Sequence, residues 1–190
     1  MKNILCFVVL SGLLFSCCYK DTPKPAPTGP QLPEYTETGA NTFSYIINDS
    51  ILIIAKDDWP AKKGVKGNYG IDCNCFDAYG NRIDYKNNVL DSSISKSVGI
   101  VIKNNVKVRI PIQITINNYA YYNYAEAGKS SLVYQTDSVN MGELIITKLD
   151  TVKKIISGKF SFTAKKLKAV TIPALETVRI RGQFDINYPQ

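Results

Sequence analysis

Val178-Arg-Ile-Arg-Gly-Gln-Phe-Asp-Ile-Asn-Tyr188 alternates, residue by residue, between an apolar or small set and a polar one. Val178, Ile180, Gly182, Phe184, Ile186 and Tyr188 share one side of an extended chain, and Arg179, Arg181, Gln183, Asp185 and Asn187 share the other. Successive side chains of a strand point to opposite faces, so the first set is predicted to face a core and the second, Asp185 included, to face water. Val106, Val108, Ile110, Ile112, Ile114 and Ile116 repeat the pattern against Lys107, Arg109, Gln113 and Thr115. Pro111 lies on the outward set of that run and cannot donate to a ladder, which marks an edge strand or a bulge.

Shorter runs follow the same logic: Thr42 to Ile47, Ser50 to Lys56, Tyr69 to Asp77, Arg82 to Tyr85, Val98 to Lys103, Ser131 to Gln135, Gly142 to Leu149 and Ile155 to Ala164. Asn48-Asp49, Gly80-Asn81, Asn104-Asn105 and Asn117-Asn118 separate them with residues that tolerate positive φ. No stretch beyond residue 40 sustains a 3.6-residue apolar period with caps. The expectation is all-β: an antiparallel β-sandwich of about eight to ten strands, with a closed or partly open β-barrel as the alternative. Residues 41–190 are enough for one core.

Ahead of that domain, Met1 to Ser16 has Lys2, then an apolar and small-residue run from Ile4 to Phe15, then a small residue before Cys17. That is the pattern of a secretory signal. Twelve helical residues cover about 18 Å, short of the ~30 Å hydrocarbon core. Leu14-Phe15-Ser16-Cys17 resembles a bacterial lipobox, which implies cleavage at Ser16/Cys17 and a lipid-modified Cys17, with Cys18 as the alternative site. Acyl chains contribute about 0.8 kcal/mol per buried methylene, so two or three make a firm anchor. Residues 17–40 carry Pro23, Pro25, Pro27, Pro30 and Pro33 and few large apolar side chains, which predicts an extended tether.

Thr38-Gly-Ala-Asn-Thr-Phe43, Gly142-Glu-Leu-Ile-Ile-Thr-Lys-Leu-Asp150, Ser157-Gly-Lys-Phe-Ser-Phe-Thr-Ala164 and Gly182-Gln-Phe-Asp-Ile-Asn-Tyr188 resemble a family of Bacteroidetes lipoproteins of unknown function. The likeness spans most of the chain after the signal and is most specific in the last fifty residues. It implies an envelope lipoprotein with an all-β domain and supplies no catalytic residue. Read physically, Gly158 and Gly182 are packing positions where a side chain would obstruct a neighbouring strand.

The chain contains no histidine. Ser-His and Cys-His nucleophile pairs and imidazole-ligated metal sites are thereby excluded, while a Ser-Lys pair or paired carboxylates are not. Asp57-Asp58 is the only adjacent acidic pair, and neighbours on an extended segment point apart. In a strand, Cys73 and Cys75 would share a face at about 6.7 Å between Cα atoms, and a bridge would need a turn, so they are expected to act as small apolar residues beside Tyr69 and Ile71. No metal or cofactor is expected. The net charge of +7 gives modest attraction to anionic headgroups or acidic glycans, with Lys165-Lys166-x-Lys168 the densest cluster, and no nucleic-acid site is expected.

Tyr119-Ala-Tyr-Tyr-Asn-Tyr124 stands apart with four tyrosines in six residues. A tyrosine joins a flat apolar face to a hydroxyl, which suits stacking on sugar rings; it also suits a sheet. As a strand, alternation would bury Tyr119 and Tyr121 and expose Tyr122 and Tyr124, with Trp59 a further candidate for the same surface. Asp49-Ser50-Ile51, Asp137-Ser138-Val139 and Asp150-Thr151-Val152 look like the short O-glycosylation signal of exported Bacteroidetes proteins, and equally like turn chemistry. The expected role is non-enzymatic: an envelope lipoprotein, held on the outer membrane, presenting a β domain for binding or structure. A glycan-binding surface lipoprotein using the tyrosines is the alternative, and a His-free hydrolase a distant one. Partners would be membrane lipid through the anchor and a glycan or another envelope protein.

Overall fold

The computed structural model describes residues 29–55, 64–86, 89–167 and 175–189. Eleven strands and no helix occur among them: β1 (Thr42–Ile47), β2 (Ile51–Ala55), β3 (Val65–Gly70), β4 (Cys75–Lys86), β5 (Val89–Ile102), β6 (Ile112–Ile114), β7 (Tyr119–Glu126), β8 (Leu132–Gln135), β9 (Gly142–Asp150), β10 (Ile155–Lys166) and β11 (Thr177–Asn187). All strand pairs are antiparallel, in the order β2-β1-β11-β10-β8-β7-β5-β4-β3, and β9 pairs with β10 and carries β6 on its other side. The single sheet curls until its halves face each other in a nearly closed, barrel-like shape. The all-β expectation holds, in the barrel form rather than as two separate sheets.

The alternation of Val178 to Tyr188 carries the core as expected, because Val178, Ile180, Phe184, Ile186 and Tyr188 are all buried. Phe184 stacks on Phe76 of β4 at 5.4 Å and on Phe43 of β1 at 5.9 Å, so the two halves meet ring to ring. Tyr45 crosses the interior to donate its hydroxyl to the Lys96 carbonyl at 3.0 Å. Gly182 is a packing position as expected, since a Cβ there would overlap the Phe160 ring. Asn48 and Asp49 both adopt positive φ, 48° and 55°, which closes the β1–β2 hairpin.

Five local expectations are corrected. Gly80-Asn81 does not turn the chain; Gly80 sits inside β4 because the Phe43 ring occupies the place of its missing side chain. The run Val106 to Ile116 is not one strand. Asn105 and Arg109 adopt positive φ, 63° and 61°, and only Ile112–Ile114 joins the ladder, so Val106, Ile112 and Ile114 are buried while Val108, Ile110 and Ile116 are not. Tyr69 to Asp77 is likewise interrupted, by a turn at 71–74 with Asn74 at φ 46°. That turn brings the Cys73 and Cys75 Cα atoms to 5.1 Å and a disulfide joins them, with Cys73 exposed, so they are a cross-link on the surface and not apolar packing.

The fifth correction concerns Asp185, which points away from the core as alternation requires yet is fully buried. The cover comes from the final residues of the stretch expected to be tether. Gln183 donates to the Pro33 carbonyl at 2.7 Å, Tyr35 hydrogen-bonds Thr147, Lys159 lies 4.5 Å above the Tyr35 ring, and Lys148 donates to the Glu37 carbonyl at 2.7 Å. Residues 33–40 thus form a strap over β11, β10 and β9. Beneath it, the Asp185 carboxylate accepts from the Thr36 hydroxyl (2.7 Å), the amides of Thr38 (2.9 Å), Gly39 (2.9 Å) and Ala40 (3.1 Å), and the Ser157 hydroxyl (2.8 Å). Burial pushes its pKa up, but the Thr36 and Ser157 hydroxyls and the Ala40 and Gly39 amides outweigh that and hold the carboxyl down at about 2.

No helix of the described residues is long and apolar enough to cross a membrane. The lipid-anchor positions Cys17 and Cys18, together with Trp59, Asp57-Asp58 and Lys168, lie outside the described residues.

Candidate functional site

The phase of β7 is set by its neighbour. Val98, Ile100 and Ile102 of β5 are buried, and the register pairs Val98 with Tyr122, Gly99 with Tyr121, Ile100 with Ala120 and Val101 with Tyr119. Tyr122 and Ala120 are therefore the inward residues, the reverse of the phase expected from the tyrosine segment alone. Tyr122 packs on Tyr134 with ring centroids 5.8 Å apart, and burial pushes its hydroxyl pKa up. Tyr124, half-buried, packs against the core and hydrogen-bonds Glu126 at 3.4 Å. These two tyrosines leave the candidate surface.

Tyr119 and Tyr121 remain, half-exposed on the outer face. The register then assembles a surface that no single segment displays. One row crosses four strands as Lys66, Tyr79, Gly99 and Tyr121, and ends on Gln135 of β8. The next row is Asn68, Asp77, Val101 and Tyr119. A Cβ at Gly99 would overlap the Tyr121 ring, so that ring reaches over Gly99 of β5 instead of standing off the sheet. Cross-strand covering of a glycine by an aromatic ring is a known stabiliser of sheet pairs. It also turns the ring into a platform.

Polar groups flank the rings. Lys66 Nζ stands 5.7 Å from the Tyr79 ring centroid, and Asn68 donates to the Asp77 carboxylate at 3.0 Å. On the other side of Tyr121, Ser95 donates to Asn81 at 3.1 Å, and the Asn123 carboxamide oxygen is buried without a hydrogen-bond partner among the described residues. Such an unsatisfied acceptor costs about 1–3 kcal/mol and, being closed off from the surface, lies behind the rings and not on the exposed face. Burial, then Tyr119, Tyr79 and Asp77, push the Tyr121 hydroxyl pKa up, so it stays a neutral donor and acceptor.

Tyr79, Lys66, Asp77, Asn68 and Asn123 were absent from the sequence-based candidates. One signal could have found them: Gly99 stands between Val98 and Ile100 in a strand, where a missing side chain points to a ring from a neighbour. Among the remaining candidates, Ser50, Ser138 and Thr151 all sit in exposed turns. Asp137 and Asp150 cap theirs by accepting backbone amides, at 2.6 Å from Asn140 and 2.8 Å from Lys153. No group of three or more metal-capable side chains gathers among the described residues. Scans of the chain against protein-family models, curated proteins and solved structures return no match.

Proposed function

We propose that this chain is a lipid-anchored envelope protein, held through Cys17, whose β domain binds saccharide on the Tyr79–Gly99–Tyr121 face and catalyses no reaction. The observation that carries this reading is the row itself, in which two tyrosines flank a glycine and one ring covers it. Sugar rings present apolar C–H faces and hydroxyl edges. Phenol rings meet the first, and Asp77, Asn68 and Lys66 meet the second. A flat platform on a rigid sheet positions these groups before the ligand arrives, which lowers the entropy lost on binding. An exported location fits the same chemistry, because extracellular and envelope polysaccharides are what such a domain would meet.

The test is affinity electrophoresis of the full-length protein in detergent through gels containing soluble plant, algal or bacterial polysaccharides. Retardation by at least one polysaccharide is expected. Each ring contact is worth about 0.5–1.5 kcal/mol, so Tyr79→Ala with Tyr121→Ala should weaken binding about tenfold or more, with the protein still folded by circular dichroism. Equal retardation of parent and variant would remove the site.

A further inference from the structure

We propose that the cavity at the edge of β3 receives the terminal sugar of a saccharide chain whose preceding units lie on the tyrosine face, so that the domain recognises chain ends; this rests on the saccharide reading above. β3 ends the strand order, and β11 comes near it without pairing. Between them is a cavity of about 330 Å³ lined by Val65 to Asn68 of β3 and by Asn41, Asn187 and Pro189. Lys66 and Asn68 belong to both surfaces, since they also head the two rows of the tyrosine face.

The distances suit a saccharide. Neighbouring strands are spaced by about 4.8 Å, so the Tyr121 ring, which reaches over Gly99 of β5, and Tyr79 on β4 stand about one strand spacing apart, close to one pyranose unit of an extended chain. One more strand in the same direction is β3 with Lys66, and past its edge is the cavity. A chain stacked on both rings therefore runs off the platform into the cavity without bending back. Asn187 donates its backbone amide to the Asn41 carboxamide oxygen at 2.9 Å, with Asn41 at φ 53°, which ties the start of β1 to the end of β11 in the lining of the cavity. Three carboxamides line the space, and each can both donate and accept, as sugar hydroxyls do. Lys66 is the one charged lining residue among the described residues, so a terminal uronate is accepted as well as a neutral sugar.

The experiment uses full-length protein in detergent with defined hexasaccharides, two neutral (from β-1,4-xylan and β-1,4-mannan) and one acidic (from polygalacturonan). Saturation-transfer NMR of the parent should label one terminal unit of the bound hexasaccharide most strongly, and blocking that end chemically should abolish binding. Asn187→Phe, which fills the cavity, should weaken binding about tenfold, and Asn187→Ala, which keeps the backbone bond to Asn41, by less. Uniform labelling along the hexasaccharide, with the end block harmless and Tyr121→Ala inactive, would remove the cavity and leave the tyrosine face standing. Absence of binding by the parent to all three saccharides, or binding that ignores both Asn187→Phe and Tyr121→Ala, would overturn both.

Discussion

Asp185 accepts hydrogen bonds from the strap and from Ser157 at once, so the ionised carboxylate joins the amino-terminal segment to two strands. Its folded pKa of about 2 lies below the ordinary value of 3.8. A depressed folded pKa means the group's contribution is complete above the unfolded value and is lost as pH falls through the folded one. Stability should therefore decline between about pH 4 and pH 2, by about 2 kcal/mol for a shift of this size. Asp185→Asn should lower stability by about 2–3 kcal/mol at neutral pH and flatten that acid decline, measured by urea unfolding across pH. An unchanged acid slope in the variant would mean other carboxylates carry it. This residue also marks a limit of reading sequence: alternation sends Asp185 outward correctly, but its cover comes from residues almost the whole chain away. No pattern within Val178 to Tyr188 could announce that.

At the scale of elements, the β3–β4 turn separates two kinds of restraint. The Cys73–Cys75 disulfide closes a ring only two residues apart in sequence. So short a loop removes little unfolded-state entropy, about 1–2 kcal/mol. Asn74 does more: it adopts positive φ, accepts from the Tyr69 hydroxyl at 3.0 Å and donates to the Val106 carbonyl at 3.3 Å. Losing two hydrogen bonds and gaining backbone strain should cost about 3 kcal/mol. Asn74→Ala is therefore expected to lower the melting temperature more than Cys73→Ser with Cys75→Ser. The opposite order in a thermal scan would make the disulfide the main restraint. Expecting a strand through these cysteines missed the turn because alternation continues across it, Ile71, Cys73 and Cys75 taking turns with the polar Asp72 and Asn74 just as a half-buried strand would. The β9–β10 turn was legible for the converse reason, since Asp150-Thr-Val-Lys-Lys is polar almost throughout.

On the scale of the molecule, curling one sheet until Phe43, Phe76, Phe160 and Phe184 meet leaves two outer faces with different fates. The strap covers one. The other carries Lys66 exposed and Tyr79, Tyr119 and Tyr121 half-exposed. The all-β class and the inward set of β11 could be read from the chain, because period-two patterning is local. The tyrosine face could not, because it depends on which strands become neighbours: Tyr79 and Tyr121 are distant in sequence and come together only through Gly99 of β5. The phase of Tyr119 to Tyr124 failed for the same reason, being dictated by Val98 and Ile100 across the ladder. A tyrosine-rich segment announces aromatic surface but not which rings face out.

The central claim is that the exposed tyrosine row is a saccharide surface, and it separates the outer tyrosines from the inner ones. The most direct measurement is NMR of full-length protein with ring-labelled tyrosine, titrated with the saccharide that retards it most in affinity electrophoresis. The ring signals of Tyr79, Tyr119 and Tyr121 should shift in a saturable way, while those of Tyr45, Tyr122 and Tyr134, closed inside the barrel, should stay in place. Shifts confined to other tyrosines, or no shift of the outer three at saturating saccharide, would contradict it.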